Sequence, residues 1–143
     1  MQTVERSALV MYTPRQMFDL VNDVQSYPQF LPWCTASSVD VRSPTERIAT
    51  VKISRSVLHT SFTTHNTLQP GRQISMQLTD GPFKHLSGDW YFDPIGEEGA
   101  RVKFHVEFEF NNRLMAAALN SVFESVCAAM VDAFVERAKK VYG

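Results

Sequence analysis

The sequence predicts an α+β domain in which a curved antiparallel sheet of about seven strands wraps round one long C-terminal helix. Three observations predict it. From Thr35 to Asn111 apolar residues recur with period two, so each strand has one dry and one wet face. After Asn111-Asn112 the period changes to about 3.6 and keeps it to the end of the chain. A chain of 143 residues, 44% hydrophobic and 20% charged, has one core's worth of apolar side chains, which excludes disorder and a coiled coil. Folded-surface scaling leaves roughly 7,400 Å² exposed out of about 23,500 Å² for the unfolded chain, enough burial for residues 1–143 to stand as one domain without disulfides or metal.

Residues 3–11 alternate weakly and read as a first strand. Thr13-Pro14-Arg15-Gln16 then opens a helix: Thr13 caps, Pro14 suits the first helical position, and Gln16 completes a capping box. Met17, Leu20, Val21 and Val24 form its apolar stripe. Pro28 and Pro32 limit Ser26 to Trp33 to a second short helical turn.

Six strands follow. Val39 and Val41 share a face, as do Ala49, Val51 and Ile53. Leu58, Phe62 and Leu68 oppose His59, Ser61, Thr63 and His65. Ile74, Met76 and Leu78 alternate with polar residues, and Leu86, Gly88, Trp90 and Phe92 do the same. In the last strand Val102, Phe104, Val106, Phe108 and Phe110 lie opposite Arg101, Lys103, His105, Glu107 and Glu109. Hairpin turns are expected at Ser43-Pro44-Thr45, Pro70-Gly71, Asp80-Gly81-Pro82 and Gly96-Glu97-Glu98-Gly99. The inward residues flanking the last turn are all even-numbered, which requires an odd loop and sets Asp93 opposite Arg101 or Lys103. Between Ile53 and Leu58 the parity switches, consistent with a two-residue turn at Arg55-Ser56 or with a bulge. The terminal helix carries Leu119, Val122, Phe123, Val126, Met130, Ala133, Phe134, Arg137 and Val141 on one stripe and is the one element able to cover the sheet's dry face.

Fourteen basic residues against fifteen acidic ones give a net charge of -1, which argues against DNA or RNA binding through a general basic surface. Cys34 and Cys127 are too few and too distant in sequence for a metal site, and read as buried free thiols. The first residues lack a basic n-region and an apolar h-region, and Asn120, Glu124 and Asp132 interrupt the apolar run from Leu114 to Val135. The expectation is a cytoplasmic protein without a transmembrane segment.

Function has to be sought in the interior. The sheet supplies Phe62, Met76, Trp90, Phe92, Phe104, Phe108 and Phe110, and the helix Phe123, Val126, Met130 and Phe134. Such a set is either an ordinary aromatic core or the lining of a cavity for an apolar ligand. Met76, Met130 and Met115 would make a lining deformable, and Gly88 marks either a sheet bend or open space for a ligand. Tyr27, Phe30 and Trp33 in one loop, and Phe83 beside Lys84 at a hairpin tip, either plug the open end of the cup or contact a partner. Tyr27, Phe30, Trp33, Phe62, Met76, Phe83, Trp90, Phe104, Phe108, Phe123, Val126 and Met130 are thus the candidate ligand-binding residues. No catalytic or metal-ligating set can be assembled. His59, His65, His85 and His105 face water, as do Asp89, Asp93, Glu107 and Glu109; Asn66 and Asp80 are polar at inward strand positions, though Asp80 more simply opens the Asp80-Gly81-Pro82 turn.

The run Asn22-Asp23-Val24-Gln25-Ser26-Tyr27-Pro28-Gln29-Phe30-Leu31-Pro32, with Asp80-Gly81-Pro82-Phe83-Lys84, Trp90 and the strand from Phe104 to Phe110, resembles the coenzyme Q-binding branch of the START-like (polyketide cyclase/dehydrase, SRPBCC) superfamily. That branch includes bacterial ribosome-association toxins, and the resemblance spans nearly the whole chain in the same order. It implies a helix-grip fold with a lipid-sized cavity. It also implies ubiquinone as bound ligand in support of respiratory electron transport, with transient membrane contact. The alternative it carries is a toxin or regulator that binds the large ribosomal subunit and blocks subunit association. Cyclase activity belongs to relatives whose pockets hold polar catalytic groups, and no equivalents are evident here. The resemblance settles no list of functional positions, so the candidate residues rest on strand alternation.

Overall fold

A computed structural model describes the whole chain, Met1–Gly143. Its elements, in order, are β1 (Gln2–Val10), α1 (Pro14–Asn22), a 3₁₀ turn (Val24–Gln29), β2 (Cys34–Ser43), β3 (Glu46–Arg55), β4 (Leu58–Gln69), β5 (Gln73–Asp80), β6 (Phe83–Ile95), β7 (Gly99–Phe110) and α2 (Arg113–Tyr142). The strands form one antiparallel sheet in the order β1-β7-β6-β5-β4-β3-β2, so β1 and β2 are the two rims. The exposed surface is 7628 Å², close to the size expected of a single core.

Local chemistry explains the ends. Thr13 Oγ1 accepts the Gln16 amide at 3.1 Å while Gln16 Oε1 accepts the Thr13 amide at 2.9 Å, closing the capping box of α1. Asn112 caps α2 by accepting the Met115 amide at 2.8 Å. Gly96-Glu97-Glu98 forms the odd loop between β6 and β7, with Ile95 paired to Gly99 and Asp93 facing Arg101. Those two side chains make no ion pair, however. The turn after β3 lies one residue later than expected, at Ser56-Val57, because Ser56 takes the left-handed backbone (φ 53°) that such a tight reversal needs.

Two further expectations need correction. A bulge between Thr63 and Thr64 brings Asp80 opposite Thr63, on the outer face, so Asp80 is exposed and not inward. The stripe of α2 is rotated slightly: Phe123, Val126, Cys127, Val131, Phe134 and Ala138 are buried, whereas Val141 is 49% exposed. By length and composition α2 is long and apolar enough to cross a membrane, and only 22% of its apolar window is buried, although one stripe of it packs on the sheet.

The helix does not sit centrally in its cup. It packs chiefly against β1, β7 and α1 and meets the other arm of the sheet only lightly, through β4. The wedge between α2 and strands β3 to β6 is where the interior can stay open.

Candidate functional site: an apolar cavity

That wedge holds a cavity of about 90 Å³ with 22 lining residues, 18 of them hydrophobic. α1, the 3₁₀ turn and the loop leading to β2 close one side with Val21, Val24, Tyr27 and Trp33. The sheet provides Ala49, Val51 and Ile53 from β3, then Phe62, Thr64 and Asn66 from β4. Ile74 and Met76 of β5, Leu86, Gly88 and Trp90 of β6, and Phe104 and Val106 of β7 continue the floor. α2 lays Phe123, Val126, Cys127 and Met130 across the top.

Nine of the twelve candidate residues meet there: Tyr27, Trp33, Phe62, Met76, Trp90, Phe104, Phe123, Val126 and Met130. Three do not. Phe83 stacks on Phe110 at 4.6 Å, and Phe108 meets Phe123 edge-on at 4.7 Å. Together they fill the cup beside the N-terminal half of α2 solidly, so parity placed them inside but position along the helix decided against the cavity. Phe30 lies outside: its ring rests 5.4 Å from Phe134, with the Arg137 guanidinium 4.8 Å from its other side. Phe30 and Phe83 therefore seal the interior instead of lining it.

Gly88 offers no open space either. A Cβ at that position would lie 2.8 Å from Met76 Cε, so the methionine already fills the niche. Residues the alternation argument passed over include Thr64, Cys127 and Asn22. Thr64 was legible by parity, being two residues from both Phe62 and Asn66; its hydroxyl hid it.

The walls are rigid in one place and soft in another. Trp90 stacks on Phe104 at 4.2 Å and receives Phe134 edge-on at 5.4 Å. Tyr27 is anchored by its hydroxyl, which donates to the carbonyl of Val21 at the end of α1. Burial, reinforced by Cys34 and Asp23, pushes that phenol far above its ordinary range, so it stays protonated. Burial also pushes the Cys127 thiol up to about 12, with the charge of Glu124 adding to it, which leaves it a poor nucleophile. Met76 and Met130 are only partly buried and can re-pack. Among polar non-aromatic side chains, Thr64 and Asn66 are the buried pair, joined by a hydrogen bond from Thr64 Oγ1 to Asn66 Oδ1 at 2.7 Å.

No group of three His, Cys, Asp or Glu side chains is arranged to hold a metal ion. The four histidines lie on the outer face, His65 beside Glu46, His105 beside Glu5 and Glu107, and His85 near Glu107. What the arrangement can do is surround an apolar group. A cavity of about 90 Å³ falls short of the ~150 Å³ that accommodates benzene and of the roughly 300 Å³ at which ligand pockets begin. Any lipid would have to displace the methionines.

Residues 10–135 match the family described as polyketide cyclase / dehydrase and lipid transport. The chain is 48% identical over 142 residues to the ribosome association toxin RatA of Escherichia coli, covering 99% of this chain and 90% of that protein. It is 28% identical over 142 residues to the mitochondrial coenzyme Q-binding protein COQ10 of Drosophila melanogaster, covering 96% of this chain and 59% of that one. Among solved structures, the ZhuI aromatase/cyclase of a Streptomyces species superposes with a TM-score of 0.88 at 16% identity, covering 99% of this chain and 96% of that one. At that identity the likeness is one of fold.

Proposed function

Since this chain belongs to the polyketide cyclase/dehydrase and lipid-transport family of START-like proteins, we propose that it is a ribosome-association regulator of the toxin type, keeping ribosomal subunits apart. The observation that carries this reading is the 48% identity with RatA along 99% of the chain, far above the 28% shared with the coenzyme Q-binding relative. The order of the two readings is thereby reversed from what the aromatic interior suggested. The near-neutral surface implies that such contact is not a general attraction to phosphate. The test is sedimentation of ribosomal subunits through sucrose with and without purified protein. Added protein should enrich free subunits at the expense of joined ribosomes and co-sediment with the large subunit; an unchanged profile at low salt would overturn the reading.

A second reading concerns the interior: non-catalytic binding of a hydrophobic ligand, with an isoprenoid quinone such as ubiquinone the first choice. The apolar cavity favours it, and the relative named for coenzyme Q binding supports it. This reading places no chemistry on the ligand; Tyr27 and Cys127, the cavity's titratable groups, are both held protonated. Organic extraction of protein purified from its native source should release a quinone or another lipid. Val126→Lys, which sets an ammonium in the cavity, should abolish loading at a melting temperature checked in parallel.

A further inference from the structure

The cavity wall contains a hydrogen-bond donor that the protein itself does not use. Asn66 is 5% exposed and lies on β4 between Met76 of β5 and Arg47 of β3. Its Oδ1 is occupied by the Thr64 hydroxyl at 2.7 Å. Its amide nitrogen, with two N–H groups, donates to no protein acceptor, and it is not among the fully enclosed unpaired atoms, of which Asn120 Oδ1 is the one, so it reaches the accessible space of the cavity that Asn66 lines. Arg47 is no substitute partner, since its guanidinium turns away to the carbonyls of Ser43 and Glu46. Nothing in the fold demands an amide at this place: Val51, Ile74, Val106 and Val126 line the same space with hydrocarbon. A donor that opens on an apolar cavity is left for whatever enters that cavity to satisfy.

We infer that the Asn66 amide N–H is the recognition donor of the cavity, and that the ligand is an apolar molecule carrying one accepting oxygen, such as a ring carbonyl, which Asn66 binds while Thr64 orients the amide. The inference rests on the ligand-binding reading above and adds to it the chemistry of the head group. Thr64 is a positioning residue: by donating to Oδ1 it turns the N–H groups towards the cavity, and an amide turned the other way would present an acceptor instead.

Three probes with the same alkyl chain separate the outcomes: decyl-benzoquinone, which only accepts; decylphenol, which donates and accepts; and decylbenzene, which does neither. Binding is measured by quenching of tryptophan fluorescence in the wild type, Asn66→Leu and Thr64→Val, with thermal melts as the folding control. The wild type should bind the quinone about five- to tenfold more tightly than Asn66→Leu does, the scale of one hydrogen bond. Decylbenzene should bind both alike. Thr64→Val should fall between them for the quinone. The infrared carbonyl stretch of bound quinone should be lowered in the wild type and restored in Asn66→Leu, a signature that loss of packing would not produce. Equal quinone affinity in wild type and Asn66→Leu, with decylbenzene also bound, would overturn the donor while leaving the apolar pocket standing. Preference for the phenol alone would overturn it in favour of an acceptor. Binding of none of the probes would remove the ligand-binding reading and the inference with it.

Discussion

Met76 and Gly88 face each other across β5 and β6, and the methionine's terminal methyl occupies the space that any side chain at position 88 would need. A flexible thioether thus fills a niche in the cavity floor that a branched residue would fill permanently. With Met76 in that position the cavity holds about 90 Å³. Met76→Ala should enlarge the cavity, tighten binding of an apolar fluorescent probe such as anilinonaphthalene sulfonate, and cost about 2 kcal/mol of stability, because the side chain is only partly buried. Gly88→Ala should do the reverse to binding by pushing Met76 Cε into the cavity, with about 1 kcal/mol or less lost as the methionine swings aside. Equal probe binding by both variants would show that Met76 does not set the volume.

Tyr27 holds the other side of the same cavity. Its hydroxyl donates to Val21, one of the last carbonyls of α1, which the helix itself leaves without a partner. Tyr27→Phe should lower stability by about 1–3 kcal/mol, since it removes a buried bond and strands its acceptor. Urea denaturation followed by circular dichroism measures this. An unchanged midpoint would mean that water reaches the Val21 carbonyl and the turn is not closed over the cavity.

Much of this layout was legible before any coordinates. The even-numbered parity from Leu86 to Phe92 and from Val102 to Phe110 demanded an odd loop and put Asp93 opposite Arg101 or Lys103, and the three-residue loop of the structure takes the Arg101 register. Thr13 and Gln16 signalled the start of α1 through side chains that have only backbone amides to bind. Parity, however, reports a face and not a depth. Phe104 and Phe108 share a face, yet one borders the cavity and the other is packed solid against Phe123. The difference comes from the off-centre seat of α2, a tertiary fact without a local signal. Asp80 does end β5 and open its turn, while its even number gave no inward place, since the bulge at Thr63 and Thr64 shifts the register at that end of β5.

On the outer face His105 clamps the β1 rim to the sheet, with Nδ1 3.0 Å from Glu5 Oε1 and Nε2 3.4 Å from Glu107 Oε1. Burial alone would lower its pKa, but hydrogen bonds to Glu5 and Glu107, and their charges, outweigh that and raise it above the usual 6.5. A raised value in the folded state means that the clamp's stabilisation is complete below about pH 6.5 and fades as pH rises through the folded value. Unfolding free energy measured from pH 6 to pH 9 should show this decline, and Glu5→Gln with Glu107→Gln should flatten it. An NMR titration of the His105 ring should give a midpoint above 6.5 in the wild type, returning towards it in the double variant. A wild-type midpoint at or below 6.5 would mean that the two carboxylates do not hold the proton in solution.

Cys127 turns the cavity's opening into something that can be timed. It is a buried lining residue on α2 whose thiol burial pushes well above its ordinary range, so disulfide reagents should scarcely touch it while α2 covers the floor. Cys34, also buried and with its thiol pushed up mainly by burial, complicates the count and is removed by Cys34→Ser. In that background Cys127 should react at a rate set by excursions that part α2 from the floor, independent of reagent concentration once reagent is in excess. Met76→Ala should accelerate the reaction, because the loosened floor lowers the cost of admitting the reagent, and a bound apolar ligand should slow it by occupying the same space. Labelling of native protein as fast as a free thiol would show that the cavity stands open in solution, and the methionine would then have no closing role.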